Sequence, residues 1–117
     1  MADGWIPMVS EADVERALEE SYTMPVCILK HSLTCGTSHQ AFDEIQDWLA
    51  SRPLPARRYL LTIQTARPVS ALVATRLGVR HESPQVLVLK DGQVTWHASH
   101  FRVRPDAIAR AVGEPAA

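Results

Sequence analysis

The sequence predicts an α/β fold, a four-stranded mixed sheet with helices on both faces, in the order α-β-α-β-α-β-β-α. Three observations carry this reading. Two short apolar runs, Val26-Cys27-Ile28-Leu29 and Tyr59-Leu60-Leu61-Thr62-Ile63, alternate with stretches of helical period, as strands buried on both faces do between crossover helices. Two further runs near the C-terminus flank Asp91-Gly92, a pair suited to the positive φ of both central residues in a tight hairpin. Finally, 117 residues with 46% hydrophobic content can bury one core without staples. Residues 1–117 therefore read as a single domain, with its core over about 9–112.

Each element follows in turn. Ser10, with an acid three residues later at Asp13, resembles a helix N-cap; Val14, Ala17 and Leu18 then share one face until near Ser21. The first strand, Val26 to Leu29, is bounded by Pro25 and by Lys30-His31-Ser32. From about Cys35 to Ser51, Phe42, Ile45, Trp48 and Leu49 recur at helical spacing and are expected to face the core, and Pro53 and Pro55 end the run. After the second strand, Pro68 suits the first turn of a helix carrying Val69, Leu72, Val73 and Leu77, and Gly78 is placed to stop it. Val86-Leu87-Val88-Leu89 and Val94-Thr95-Trp96 form the hairpin, the latter alternating as an edge strand should. Pro105 opens a closing helix through Ile108 and Val112, and residues 113–117 read as a frayed tail. A right-handed crossover makes the first two strands parallel; the hairpin makes the last two antiparallel.

Composition excludes several classes of function. Twelve basic and thirteen acidic side chains leave a net charge of −1, which supplies no positive field for a nucleic-acid backbone. No apolar run approaches the roughly 18 residues of a membrane span. The opening Met1-Ala2-Asp3-Gly4 lacks a basic segment followed by an apolar stretch, so no secretory signal is expected. Two cysteines are too few for a disulfide scaffold or a four-cysteine zinc site. A soluble protein of the cytoplasm is the expectation.

Chemistry points first to Cys35, in Ser32-Leu33-Thr34-Cys35-Gly36-Thr37-Ser38. A cysteine where a buried strand gives way to a helix meets unpaired N–H groups and the positive end of the helix dipole, which favour thiolate over thiol. Lys30, His31 and His39 lie close in sequence and can add positive potential. The plainer reading is a small residue filling space at a turn. Ser38 makes the arrangement Cys-x-x-Ser, so an attack by Cys35 on a disulfide ends in a mixed disulfide unless an outside thiol intervenes. The Ser38 hydroxyl either bonds the sulfur or is only a first-turn residue. Pro84 precedes the third strand, where proline is ordinary and cis in only a few per cent of cases. Cys27, inside an apolar run, reads as a small buried hydrophobe rather than a resolving thiol. His39, His81 and His100 with Cys35 fall short of a recognisable metal pattern, so no metal is expected. His81 reads either as lining a groove beside Ser83-Pro84 or as a solvated loop residue.

Helix-N-terminal cysteine, β-α-β crossover, X-Pro and β hairpin together form the thioredoxin pattern. The segments Lys30 to Ser38 and Gly78 to Val86 resemble the monothiol bacilliredoxins of the YtxJ type, which carry a Thr-Cys-Pro-Ile-Ser active site on a thioredoxin-like fold. Thr34, Cys35 and Ser38 match that motif, while Gly36 and Thr37 replace its proline and isoleucine. The His81-Glu82-Ser83-Pro84-Gln85 stretch, the Lys90-Asp91-Gly92 turn and the Ser99-His100 pair fit the same pattern, and the likeness spans about Val9 to His100.

This resemblance implies a thiol-disulfide oxidoreductase that removes bacillithiol from S-bacillithiolated proteins in redox homeostasis and the oxidative stress response. Cys35 and Ser38 would be its catalytic residues, and Thr34, Gly36, Thr37, His81, Ser83 and Pro84 would meet substrate. Arg80 or His81 would attract the ligand's carboxylates. Bacillithiol is a co-substrate, with no bound cofactor, and free bacillithiol or another redoxin regenerates the enzyme. Gly36 loosens the turn relative to proline but restores an N–H able to point at the sulfur. The competing readings are a thioredoxin-like adaptor that docks a protein partner, and a thiol sensor without turnover.

Overall fold

The computed structural model describes residues 4–113. The chain runs β1 (Trp5–Pro7), α1 (Glu11–Glu20), β2 (Val26–His31), α2 (Gly36–Ser51), β3 (Arg57–Thr62), a 3₁₀ turn (Ile63–Thr65), α3 (Arg67–Leu77), β4 (Gln85–Lys90), β5 (Gln93–Ser99), a second 3₁₀ turn (His100–Arg102) and α4 (Pro105–Gly113). The sheet has five strands in the order β1-β3-β2-β4-β5, not four, and the element order begins with a strand. The additional strand is β1, parallel to β3 with Ile6 opposite Tyr59. Three residues ending in proline show no period-2 pattern, and proline is tolerated there because β1 is an edge. It also extends the core to Trp5 and Met8, both buried.

Alternation along β2 divides two cores. Val26 and Ile28 face α1 and α3, meeting Val14, Ala17, Val69 and Val73. Cys27 and Leu29 face α2 and α4, meeting Ala41, Ile45, Ile108 and Val112. All six residues of β2 are buried, as a central strand covered on both sides requires. It pairs parallel with β3 and antiparallel with β4. Trp48, expected in the core, is half-buried at its rim with the Arg52 guanidinium 4.4 Å from its ring centre.

Local chemistry sets the ends of the elements. Ser10 Oγ accepts from Asp13 N while Asp13 Oδ2 accepts from Ser10 N, a capping box that stabilises a helix by about 1 kcal/mol. Gly78 closes α3 in the left-handed region at φ 70°. Asp91 and Gly92 take φ of 53° and 77°, and both N–H groups bond Ser21, tying the hairpin tip to the end of α1. Helix α4 continues through Gly113, so that residue is not tail; the rest of the expected tail, 114–117, lies outside the described residues. Among the described residues no helix is long and apolar enough to cross a membrane.

Candidate active site

Strand β2 ends at His31 and α2 begins at Gly36, which places Cys35 at the N-cap in an extended conformation, φ −106° and ψ 119°. The first turn of α2 carries no acid, so nothing in it competes with the sulfur for the positive end of the helix. Cys35 is partly exposed and unpaired. Its thiol is held below the ordinary value, chiefly by the Ser38 backbone N–H, against a smaller effect of burial, with help from the Ser38 hydroxyl and from the Thr37 N–H and hydroxyl. The N–H groups that serve the sulfur therefore belong to Thr37 and Ser38. Gly36, whose N–H the sequence left able to point there, contributes none of these, and a Cβ built on it would meet nothing within 4 Å.

Lys30, His31 and His39, the basic neighbours in sequence, are engaged with other groups. Lys30 turns to the α1/α3 side, with Nζ 3.2 Å from the Ser70 carbonyl and 3.2 Å from His81 Nδ1. His31 lies on the other side, edge-on to the His39 ring at 5.1 Å, and its titration is depressed by burial and then by the His39 charge. His39 donates from Nε2 to the Leu33 carbonyl at 2.7 Å. No group of three or more His, Cys, Asp or Glu side chains converges on a metal position among the described residues.

Ser38 sits at the centre of the site. It is almost fully buried; its Oγ accepts from Ser32 N at 3.3 Å and lies 3.4 Å from Ser83 Oγ. One hydroxyl thus touches the segment before Cys35, the sulfur's surroundings and the loop before β4. Thr34 is exposed and its Oγ1 lies 3.3 Å from Ser32 Oγ. Pro84 is buried, and the Ser83-Pro84 peptide is cis. Its carbonyl accepts from His100 N at 2.9 Å. Glu82 accepts from Ser99 Oγ at 2.5 Å and lies 3.3 Å from His100 Nε2. Gln85 Nε2 donates to the Arg80 carbonyl at 2.9 Å. Residues 80–84 are thereby held from both ends, and the sequence-selected Cys35, Ser38, Ser83 and Pro84 come together.

Gln64 was not among the residues selected from the sequence. From the 3₁₀ turn after β3, its Oε1 accepts from Leu33 N at 3.0 Å and its Nε2 donates to Ser32 Oγ at 2.9 Å, bracing the segment that delivers Cys35. A glutamine in a turn some thirty residues away carries no local signal of this. Cys27, by contrast, is 1% exposed and burial pushes its thiol up to about 12, which makes it inert as a nucleophile.

Comparison with known proteins agrees with this geometry. The family model for monothiol bacilliredoxin BrxC matches residues 6–108. A solved thioredoxin-fold structure proposed to be an oxidoreductase is 31% identical, with a TM-score of 0.80, over 92% of this chain and 93% of that one. A thioredoxin mutant from Halobacterium salinarum shares the fold at 14% identity, TM-score 0.73, over 99% and 96% of the two chains. Thioredoxin f from spinach chloroplast does so at 17% identity, TM-score 0.69, over 95% and 92%.

Proposed function

The chain belongs to the monothiol bacilliredoxin family, and we propose that this thiol oxidoreductase removes bacillithiol from S-bacillithiolated proteins through a mixed disulfide on Cys35. The observation that carries the reading is the environment of that sulfur: accessible, at a helix N-terminus, with its thiol depressed by the Ser38 and Thr37 N–H groups. Exchange requires an accessible thiolate and a thiol able to leave.

In the first step the Cys35 thiolate attacks the bacillithiol sulfur of the modified protein. The protein–bacillithiol bond breaks, a Cys35–bacillithiol disulfide forms, and the protein thiolate departs and takes a proton from water. In the second, the thiolate of free bacillithiol attacks the bacillithiol sulfur on Cys35, giving bacillithiol disulfide and returning the Cys35 thiolate; another redoxin can serve in its place. Ser38 supplies no second sulfur, so the adduct waits for an outside thiol. Its buried hydroxyl instead stabilises the thiolate and sets its distance from the Ser83 loop. Thr34, Gly36 and Thr37 form one wall of the approach, and His81, Ser83 and Pro84 form the other, with the Ser83 backbone pairing with extended substrate. No bound cofactor takes part. The reducing cytoplasm, where such a thiol stays free, is the compartment this chemistry needs.

The test is to incubate the reduced protein with a bacillithiol-modified substrate and follow intact mass, with a glutathionylated substrate as control. A bacillithiol adduct on Cys35, with release of the substrate thiol, is expected. Absence of an adduct from either substrate would replace this reading with that of a protein-binding adaptor, and an adduct that excess bacillithiol does not remove would indicate a sensor.

A further inference from the structure

Among the described residues, Lys30 is a buried cation without a counter-anion. The residue is fully buried, and no carboxylate pairs with it among the described residues. Its Nζ reaches two groups, the Ser70 carbonyl and His81 Nδ1, both at 3.2 Å. Ser70 Oγ lies 3.2 Å from the same Nδ1. A buried ammonium held by neutral acceptors alone is costly, so its geometry invites a reason.

That reason is the histidine. An ammonium has three donors and no acceptor, so Nδ1, facing it, is the accepting nitrogen and the ring proton resides on Nε2. Ser70 Oγ borders the same nitrogen. His81 is exposed overall, so with Nδ1 turned to these interior groups the Nε2 edge is the outward one, three residues before Pro84. We propose that Lys30 and Ser70 are positioning residues that hold His81 as a neutral imidazole protonated on Nε2, a fixed hydrogen-bond donor for a carboxylate of the incoming thiol moiety. This rests on the reading above that the 81–84 loop meets the low-molecular-weight thiol.

The charges around the ring are consistent with the lock. Protonating His81 places a proton on Nδ1 against the ammonium, and burial followed by the Lys30 charge depresses its titration, with Glu82 acting weakly the other way. Glu82 is itself lowered, first by the Ser99 hydroxyl and then, against burial, by His100 and Arg80. Lys30 is itself lowered to about 8 by burial, which leaves it charged and the imidazole neutral near pH 7. A neutral imidazole meets a carboxylate as a hydrogen-bond donor without itself carrying charge near pH 7.

The experiment is long-range ¹H–¹⁵N correlation of the His81 ring in the labelled full-length protein, from pH 6 to 7. It is run beside kcat and KM for a bacillithiolated protein substrate. Wild type is expected to show only the Nε2–H tautomer. In Lys30→Met the Nδ1–H form should appear and the titration should move up toward about 6.5. KM should rise about threefold to tenfold, as for one lost hydrogen bond, with kcat little changed. A wild-type ring protonated on Nδ1, or titrating as an ordinary histidine, overturns the proposal whether or not Lys30→Met folds, as does an unchanged tautomer in that variant. Exchange activity with an unlocked ring counts against this inference alone; a locked ring without exchange counts against the functional reading alone.

Discussion

Cys27 and Cys35 lie eight residues apart in sequence and meet opposite environments. Cys27 stands inside β2, where Leu29, Ala41 and Ile45 of the α2/α4 core surround it and burial drives its thiol up to about 12. Cys35 stands just past the end of the same strand, where the backbone turns into α2 and the N–H groups of Ser38 and Thr37 drive its thiol down. The side chain is the same; the difference is whether unpaired donors or methyl groups face the sulfur. A thioredoxin-like fold makes both environments from one strand, because a central strand is dry along its length and its C-terminal end opens onto a helix N-terminus.

The largest expected effect breaks that comparison outright. Cys35→Ser should reduce exchange to the uncatalysed background, since the other thiol, Cys27, is buried, whereas Cys27→Ala should keep turnover within about twofold and lose about 1 kcal/mol of stability. Turnover assays and denaturant midpoints on both variants check it; sensitivity of turnover to Cys27→Ala would mean that the two sulfurs communicate.

Stability at alkaline pH sharpens the contrast with a definite sign. Cys27 has its folded value raised from 9.0 to about 12, so the folded state keeps a proton that the unfolded state loses. Its contribution is intact below pH 9 and declines as pH rises toward 12, on the order of 3–4 kcal/mol across the window. Cys35 is displaced the other way: its contribution is present above 9.0 and is lost as pH falls through its depressed folded value. Denaturant melts of wild type and Cys27→Ala from pH 8 to 11 should therefore cross between about pH 9 and 10, with the variant the more stable of the two above that. Tyr59, also raised to about 12 by burial and then by Glu20, is common to both proteins and cancels in the difference.

A smaller effect tests what lowers the reactive thiol. Ser38→Ala removes the buried hydroxyl but leaves the Ser38 N–H, the larger influence. The Cys35 pKa should rise by about half to one unit, as for one hydrogen bond, and iodoacetamide alkylation near pH 6.5 should slow about threefold to tenfold. An unchanged pH–rate profile would assign the whole effect to backbone N–H groups. Smallest is Gly36→Pro. Cys35 already has the extended backbone that a residue before proline adopts, a Cβ at position 36 meets nothing, and the Gly36 N–H does not serve the sulfur. The variant should gain about 0.4–1 kcal/mol of stability by restricting the unfolded chain, with little change in Cys35 reactivity; a marked drop in reactivity would show that the first turn of α2 shifts.

By itself the sequence determined most of this architecture and the nature of its chemistry. Unbroken apolar runs mark β2, β3 and β4, helical periods mark the four helices, and Asp91-Gly92 marks the hairpin, because burial on one face or two leaves a local period in the chain. Cys35 at a strand-to-helix junction was legible for the same reason: donor-rich helix ends are a local consequence of helix geometry. Only the tertiary structure decided what depends on contacts far apart in sequence. Strand β1 exists because its three residues find the free edge of β3. Gln64 braces the cysteine segment from across the fold, and Ser38 meets Ser83 across forty-five residues. Lys30, adjacent in sequence to residues of the cysteine segment, turns to His81 because alternation along β2 sends it to the other side of the sheet. Hydrogen-bond partners of this kind leave no period behind; they follow from which side chains the packed sheet and helices bring within about 3 Å of one another.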